Sequence, residues 1–252
     1  MLTNPSLRRG GDTEKHKTQS KTPSTLFGPY GTRQDQVYDA LKCAILSVEF
    51  LPGALIRTND ICEWFDLSRS TVTEAYNRLS QDGLIEFTHK AGMRVSRLSM
   101  SVIREDVFLR EALEVAAAHH AARHCTEAAL ARLHRNIEMQ KLLIMELDKD
   151  DYLKADAAFH RIVLETTEVS RLPSVVKRVS THLDRARPLL LANRAETLPQ
   201  TLSETLAEHV NIFKAIRYKE SEAAQKAMRY HLRQLIRRIE PMETAHPDMF
   251  SA

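Results

Sequence analysis

Apolar residues first recur at helical spacing after residue 33. Val37, Leu41, Ile45 and Val48 share one face, and Pro52–Gly53 ends that element. A short second helix is expected from Thr58, which can cap it, with Asp60 in its first turn and Ile61, Trp64 and Phe65 as its apolar side. Ser68 can cap a third helix. Leu67 before the cap and Val72 four residues inside have the spacing of a hydrophobic staple, and Val72, Ala75 and Leu79 face inward. Gly83 suits the positive φ that closes such a helix. Two β-like runs follow, Leu84–Phe87 and Met93–Ser96. They flank a Gly-containing loop and predict a hairpin. Helix, helix–turn–helix, then hairpin is a winged helix-turn-helix arrangement.

Beyond the hairpin the pattern changes. Residues 98–101 read as a linker, and from Val102 helical periodicity dominates to about Pro241 with almost no glycine. Six helices are expected, near 102–124, 126–147, 149–167, 171–194, 201–217 and 220–239, packed as an all-α bundle. The division is therefore a tail over 1–32, a winged domain over 33–97, a linker over 98–101, a helical domain over 102–241 and a C-terminal tail over 242–252. The lead over 1–32 is rich in Thr, Ser, Lys, Gly and Pro and is expected to be disordered. The fold class is mainly α.

Composition narrows the class. In 252 residues there are 7 Gly and 9 Pro, too few turn formers for a sandwich, a barrel or a doubly wound sheet. No apolar run approaches the roughly 18 residues of a membrane helix, and no apolar leader opens the chain, so no membrane partner is expected. Three cysteines, Cys43, Cys62 and Cys125, are an odd and sparse set that points to a reducing cytoplasm. Residues 1–98 carry 13 Lys and Arg against 11 Asp and Glu. Nucleic-acid binding must then rest on where charge is placed rather than on bulk charge.

The third helix carries Arg69, Ser70, Thr71, Thr73 and Asn77 off its apolar stripe. The N-terminal part of such a helix enters the major groove. There Arg69 can fork onto guanine, Asn77 onto adenine, and a Thr methyl can meet thymine. Ser68 and the helix N-terminus suit phosphate. Thr58 and Asn59 on the second helix, and His89, Lys90, Gly92 and Arg94 in the wing, complete the candidate DNA set. The same pattern also describes an ordinary polar helix face beside a hairpin.

In the helical region Asp156 and His160 are four apart and share a face, while His209 and His231 lie on two later helices. One carboxylate and three imidazoles suit Zn²⁺ best, with Ni²⁺ and Mn²⁺ also suited. Spacing alone leaves their convergence open, and His119, His120, His124, His134 and His246 read as ordinary helical histidines. Arg110, Arg185 and Arg187 can hold a carboxylate in a bidentate fork, and His182 is a candidate donor beside them.

These landmarks carry a resemblance. The L-P-G turn at Leu51–Gly53, S-R-x-x-V-x-E-A at Ser68–Ala75, D-G-L-I at Asp82–Ile85 and the wing Gly92 resemble the GntR-family winged helix. The helices that follow are similar to the FCD effector domain of the same family. They carry D-x-x-x-H at Asp156–His160 and the later pattern of His209, Ala215–Ile216, Ala227, Met228 and His231. Six helices resemble the VanR-like branch of the FadR subfamily. Family members usually carry Arg at the positions of Asn59 and Thr73, and Gly at that of Val48, so of that Arg trio only Arg69 remains. The resemblance implies a metabolite-responsive regulator, a repressor by family habit, that dimerises through its helical domain. Its operator is expected to be near-palindromic, and its metal is expected to help hold a small organic acid. Two other functions fit parts of the pattern: a helical metalloenzyme built on the Asp/His₃ set, and a non-specific architectural DNA binder. The chain shows none of the nucleophile-elbow, zinc-protease or phosphate-loop motifs that would favour an enzyme.

Overall fold

The computed structural model describes residues 32–88, 92–193 and 198–251. The lead expected to be disordered therefore lies outside the described residues, apart from Thr32. So do His89 and Lys90 of the wing.

Thr32 starts the first helix, α1 (Arg33–Leu46). Its hydroxyl accepts from the Asp35 amide while the Asp35 carboxylate accepts from the Thr32 amide, a complete capping box. The apolar face foreseen from the spacing is buried, with Val37, Leu41 and Ile45 in the core. Val48 follows at φ 64, a left-handed conformation that a β-branched side chain disfavours by roughly 1–2 kcal/mol. Helix α2 (Thr58–Phe65) begins one residue earlier than expected. Thr58 is its first turn rather than its cap, and Arg57 stands at the cap position without a side-chain hydrogen bond. Helix α3 (Arg69–Gln81) is capped by Ser68, whose Oγ accepts from the Thr71 amide. Gly83 takes φ +69, as the chain reversal there requires.

The hairpin is β2 (Ile85–Thr88) and β3 (Gly92–Val95), paired antiparallel with Ile85 opposite Val95 and Thr88 opposite Gly92. A two-residue strand, β1 (Leu55–Ile56), adds to the other edge of β3, giving the order β1-β3-β2. Two residues are too short a run for alternation to reveal. Val72, Leu79, Leu84 and Val95 close the core of this head beneath α1.

The helical domain runs α4 (Met100–His124), α5 (Glu127–Glu146), α6 (Lys149–Glu165), α7 (Leu172–Val179), α8 (Thr181–Asn193), α9 (Leu198–Arg217) and α10 (Ser221–Ala245). Ser99, Thr126 and Asp148 cap α4, α5 and α6. The main core gathers Ala118, Ala121, Leu133, Phe159, Val163, Ile212, Ile216, Met228 and Leu232. The segment expected as one helix over 171–194 is two, so seven helices stand where six were foreseen among the described residues. The break is at Ser180, with φ −103 and ψ 6. Its physical cause is Asp106 on α4, whose Oδ2 accepts from the backbone amides of His182 and Leu183 at 3.2 Å each and so caps a fresh helix start. The cap comes from more than seventy residues upstream, beyond the reach of local pattern.

The ends of this domain also differ from expectation. The 98–101 stretch is no free linker: Leu98 is fully buried, and Ser99 already caps α4. The 242–252 stretch is no tail. Helix α10 continues to Ala245, a 3-10 turn spans Pro247–Met249, and Met242, Met249 and Phe250 are buried. Leu98 donates to Met249 O at 2.9 Å and accepts from Ser251 N at 2.7 Å, forming a parallel bridge with Phe250. These residues join Ile103, Leu183, Leu190 and Ile239 in a cluster on which Val48 and Leu51 of the head also pack. The domain is thus finished by a seam at its junction with the head, held by apolar burial and backbone hydrogen bonds.

Asp106→Ala removes the acceptor for two amides at the start of α8. It is expected to lower stability by about 1–2 kcal/mol in urea denaturation, with α6 and α9 unaffected in amide-exchange protection.

Candidate metal centre and DNA-reading face

Helix α6 presents Asp156 and His160 one turn apart, α9 presents His209 and α10 presents His231, and all four are buried. The three imidazoles converge, one nitrogen of each lying within 4.8 Å of the others. His160 Nε2 and His231 Nε2 stand 3.1 Å apart. Asp156 Oδ1 is 3.8 Å from His209 Nε2, and Oδ2 is 4.0 Å from His160 Nε2. Phe159 stacks on the His209 ring with centroids 4.2 Å apart, fixing its plane.

Each imidazole is held from behind through Nδ1. His160 Nδ1 meets Glu114 Oε2 at 2.5 Å, His209 Nδ1 meets Gln140 Oε1 at 2.9 Å and His231 Nδ1 meets Glu208 Oε2 at 2.7 Å. An oxygen at Nδ1 places the proton there and leaves the Nε2 lone pair turned inward. The acceptors are themselves anchored. Arg110 Nε donates to Glu114 at 2.6 Å, Arg238 donates to Glu208 at 2.6 Å, and Gln140 donates to Asn136 at 2.7 Å. Arg187 forms an ion pair with Asp156 Oδ2.

Charge follows from these neighbours. Burial, then the neighbouring imidazole, pushes His209 and His231 well below the ordinary histidine range. Burial resists the Asp156 carboxylate, but Arg187 and the imidazoles outweigh it and hold the group well below the usual range. Glu114 behaves alike, with Arg110 and His160 overcoming its burial.

A divalent ion fits this donor set. With each Nδ1 turned to a carboxylate, the Nε2 atoms of His160 and His231 face each other, and two neutral rings protonated at Nδ1 would leave neither of them a donor. Nor does His209 Nε2 or Asp156 Oδ1 make a hydrogen bond, and Asp156 Oδ2 is met by Arg187. A shared cation resolves all of these at once. Two nitrogens bound at about 2.1 Å to one ion stand roughly 3.0 Å apart at a right angle and roughly 3.4 Å at the tetrahedral angle, which brackets the spacing seen.

Beside the cluster opens a cavity of about 470 Å³, reached by His160 and lined by Arg110, Arg187, Lys154, Arg161 and Lys177, with Asp184 its single acidic residue. Two of the four expected effector residues, Arg110 and Arg187, are therefore at the cavity. The other two are not. His182 lies against Gly83 of the head and 3.7 Å from Asp106, and Arg185 is buried with its guanidinium donating to the Ser96 carbonyl. The reason is helical phase: Arg185 and Arg187 on α8 are two residues and roughly 200° apart. Lys154, Arg161 and Lys177 at the cavity, and Glu114, Gln140 and Glu208 behind the imidazoles, were not foreseen. None belongs to a spacing that marks it apart from other polar helix positions.

On the head, the starts of α2 and α3 meet. Arg69, Ser70, Thr73 and Asn77 are exposed on α3, Asn59 is exposed on α2, and Thr58 and Thr71 are half-buried. Ser68 Oγ lies 2.9 Å from Ser70 Oγ and 3.0 Å from Thr71 Oγ1. Arg69 Nη2 donates to Asn59 Oδ1 at 2.7 Å, and Thr73 Oγ1 donates to Arg69 O at 2.8 Å. Gly92 turns the wing at φ +84 with open space around it. Arg94, expected in the wing, instead donates to the Gly53 carbonyl of the L-P-G turn.

Residues 33–95 match the family described as "Bacterial regulatory proteins, gntR family", and residues 107–234 match the FCD domain. The chain belongs to the GntR family of regulators. This GntR regulator is 26% identical over 230 residues to the HTH-type transcriptional repressor RspR of Escherichia coli K12, covering 91% of this chain and 99% of the relative. It is 22% identical over 215 residues to the galactonate operon transcriptional repressor of the same strain, covering 77% and 91%. Among solved structures, E. coli McbR/YncC superposes with TM-score 0.69 at 18% identity, covering 84% of this chain and 99% of that one. A putative GntR regulator from Rhodococcus sp. RHA1 gives 0.67 at 23% identity, covering the same shares. The family consists of transcription regulators and not enzymes, which sets aside the metalloenzyme alternative. No helix among the described residues is long and apolar enough to cross a membrane.

The depressed histidines make stability pH-dependent in a stated direction. In the unfolded chain they take up protons near 6.5, and in the folded chain only well below it. Between those limits the unfolded state binds more protons, so stability is full above the first and lost as pH falls towards the second. Chelator-treated protein, melted from about pH 8 down to about pH 5, is expected to hold its Tm above pH 6.5 and lose it progressively below. A Tm that stays level through that window contradicts the assignment.

Proposed function

We propose that this GntR regulator is a metabolite-responsive repressor whose helical domain binds a divalent transition metal and, beside it, a small organic acid. The observation that carries this reading is the convergence of three buried imidazoles, His160, His209 and His231, with the Asp156 carboxylate about 4 Å from two of them, beside a cavity lined by basic residues. His160, His209, His231 and Asp156 would hold the ion, with Zn²⁺ favoured by the nitrogen-rich set and Ni²⁺ or Mn²⁺ as alternatives. A bound ion supplies Lewis-acid attraction for an effector carboxylate. Arg110 and Arg187, each already paired to a buried carboxylate, offer their remaining N–H groups to the same group, and Lys154, Arg161 and Lys177, in ion pairs with Asp151, Glu165 and Asp184, rim the opening. The name of the galactonate operon repressor links that relative to a sugar acid, which agrees with this chemistry.

Helix α8 supplies a physical route from cavity to head. Asp184 and Arg187 face the cavity, and Arg185 reaches Ser96 at the end of the wing. A ligand that binds one placement of α8 better than another shifts the head accordingly. The protein acts as a homodimer on a near-palindromic operator, each head reading one half-site. Exposed Phe108 and Leu109 on α4 give an apolar face suited to a second copy.

Native mass spectrometry of the full chain, purified without chelator, tests the reading. A dimer with one metal per chain and an organic adduct is expected. His209→Ala and His231→Ala are each expected to lose the metal and the effector response together; full metal occupancy in both contradicts the site. Arg69→Ala is expected to cut preference for operator over competitor DNA by about tenfold or more at each half-site while dimer mass and metal content stay unchanged. Unaltered operator affinity contradicts the head assignment.

A further inference from the structure

Among the described residues, α3 carries one exposed arginine. Of the two arginines on α3, Arg78 turns back into the head, donating to Asp35 at 2.6 Å and lying over the Tyr38 ring at 3.9 Å. Arg69 remains exposed, and no ion pair among the described residues involves it. What holds it is neutral: Nη2 donates to Asn59 Oδ1 at 2.7 Å, across the gap between the first turns of α2 and α3.

We propose that Asn59 is a positioning residue for base reading, whose side-chain oxygen fixes the Arg69 guanidinium so that discrimination of one guanine in each half-site depends on Asn59. The inference rests on α3 being the DNA-reading helix. A carboxylate at position 59 would orient Arg69 but also neutralise it. An amide orients it and leaves the full charge for DNA. One hydrogen of Arg69 is committed to Asn59, and four remain, enough for a fork onto guanine O6 and N7. The other end of Arg69 is fixed as well, since Thr73 Oγ1 donates to its carbonyl at 2.8 Å and braces the first turn of α3. A guanidinium held by Asn59 on a backbone already fixed in the helix loses less rotamer freedom when it meets a base. Selectivity, more than affinity, is what such holding alters.

The test uses the full-length chain and a pool of randomised duplex DNA, selected and sequenced to give base preference at every operator position. It compares wild type, Asn59→Ala, Arg69→Ala and the double variant. Arg69→Ala is expected to erase a guanine preference at one position per half-site, a loss of about tenfold or more. Asn59→Ala is expected to weaken preference at that same position by about three- to tenfold. Preference at the other operator positions should remain unchanged. The double variant should match Arg69→Ala at that position, because Asn59 acts only through Arg69. A silent Asn59→Ala beside a normal Arg69→Ala effect overturns this inference alone. So does a uniform loss at all positions, or effects that multiply in the double variant. An Arg69→Ala chain with every preference intact overturns the DNA-reading assignment of α3 and the inference with it.

Discussion

Three imidazoles and one carboxylate share a space that water scarcely reaches, and each can stay there only because another helix answers its charge. Glu114 and Arg110 come from α4, Gln140 from α5, Asp156 and His160 from α6, Arg187 from α8, His209 and Glu208 from α9, and His231 and Arg238 from α10. Desolvation offsets most of the Coulombic gain of such a network, so it adds little to net stability. What it fixes is relative placement. Sliding α9 or α10 by one turn would separate His209 from Gln140 or His231 from Glu208, leaving buried polar groups without partners. The apolar core sets that the helices pack; the polar cluster sets their register.

The same cluster explains why α4 shows so little amphipathic contrast in a long helix. Asp106, Arg110 and Glu114 recur every fourth residue on its buried side. One caps α8, the next anchors its neighbour, and the last holds His160. One helix face thus links the junction with the head to the imidazoles. Helix α8 runs the link in parallel, with Arg187 on Asp156 and Arg185 on Ser96.

Much of the architecture was legible in the chain. The spacing of Val37, Leu41 and Ile45, the cap at Ser68, the turn at Gly83 and the hairpin around Gly92 all arise from local preferences that a few residues settle between themselves. Asp156 and His160 shared a face by the same local logic. The meeting of His209 and His231 with them was a different matter: separations of 49 and 71 residues from His160 say nothing about distance, and the resemblance to a family carried that step. Failures of the reading share one cause, a partner distant in sequence. Ser180 breaks a helix because Asp106 caps the next one. Residues 242–251 are ordered because Leu98 gives their backbone a strand to pair with. Gln140 looks like any polar residue on α5 until His209 is seen beside it.

The pairing of Leu98 with Phe250 has a consequence for the order in which the molecule is made. The head is complete by Val95 and can fold while the ribosome is still building the helices. Its junction with them is not complete until residues 249–251 appear, because Leu98 waits for Met249 and Ser251 to satisfy its backbone. A nascent chain stopped before Met249 would carry a finished reading head with its joint still open.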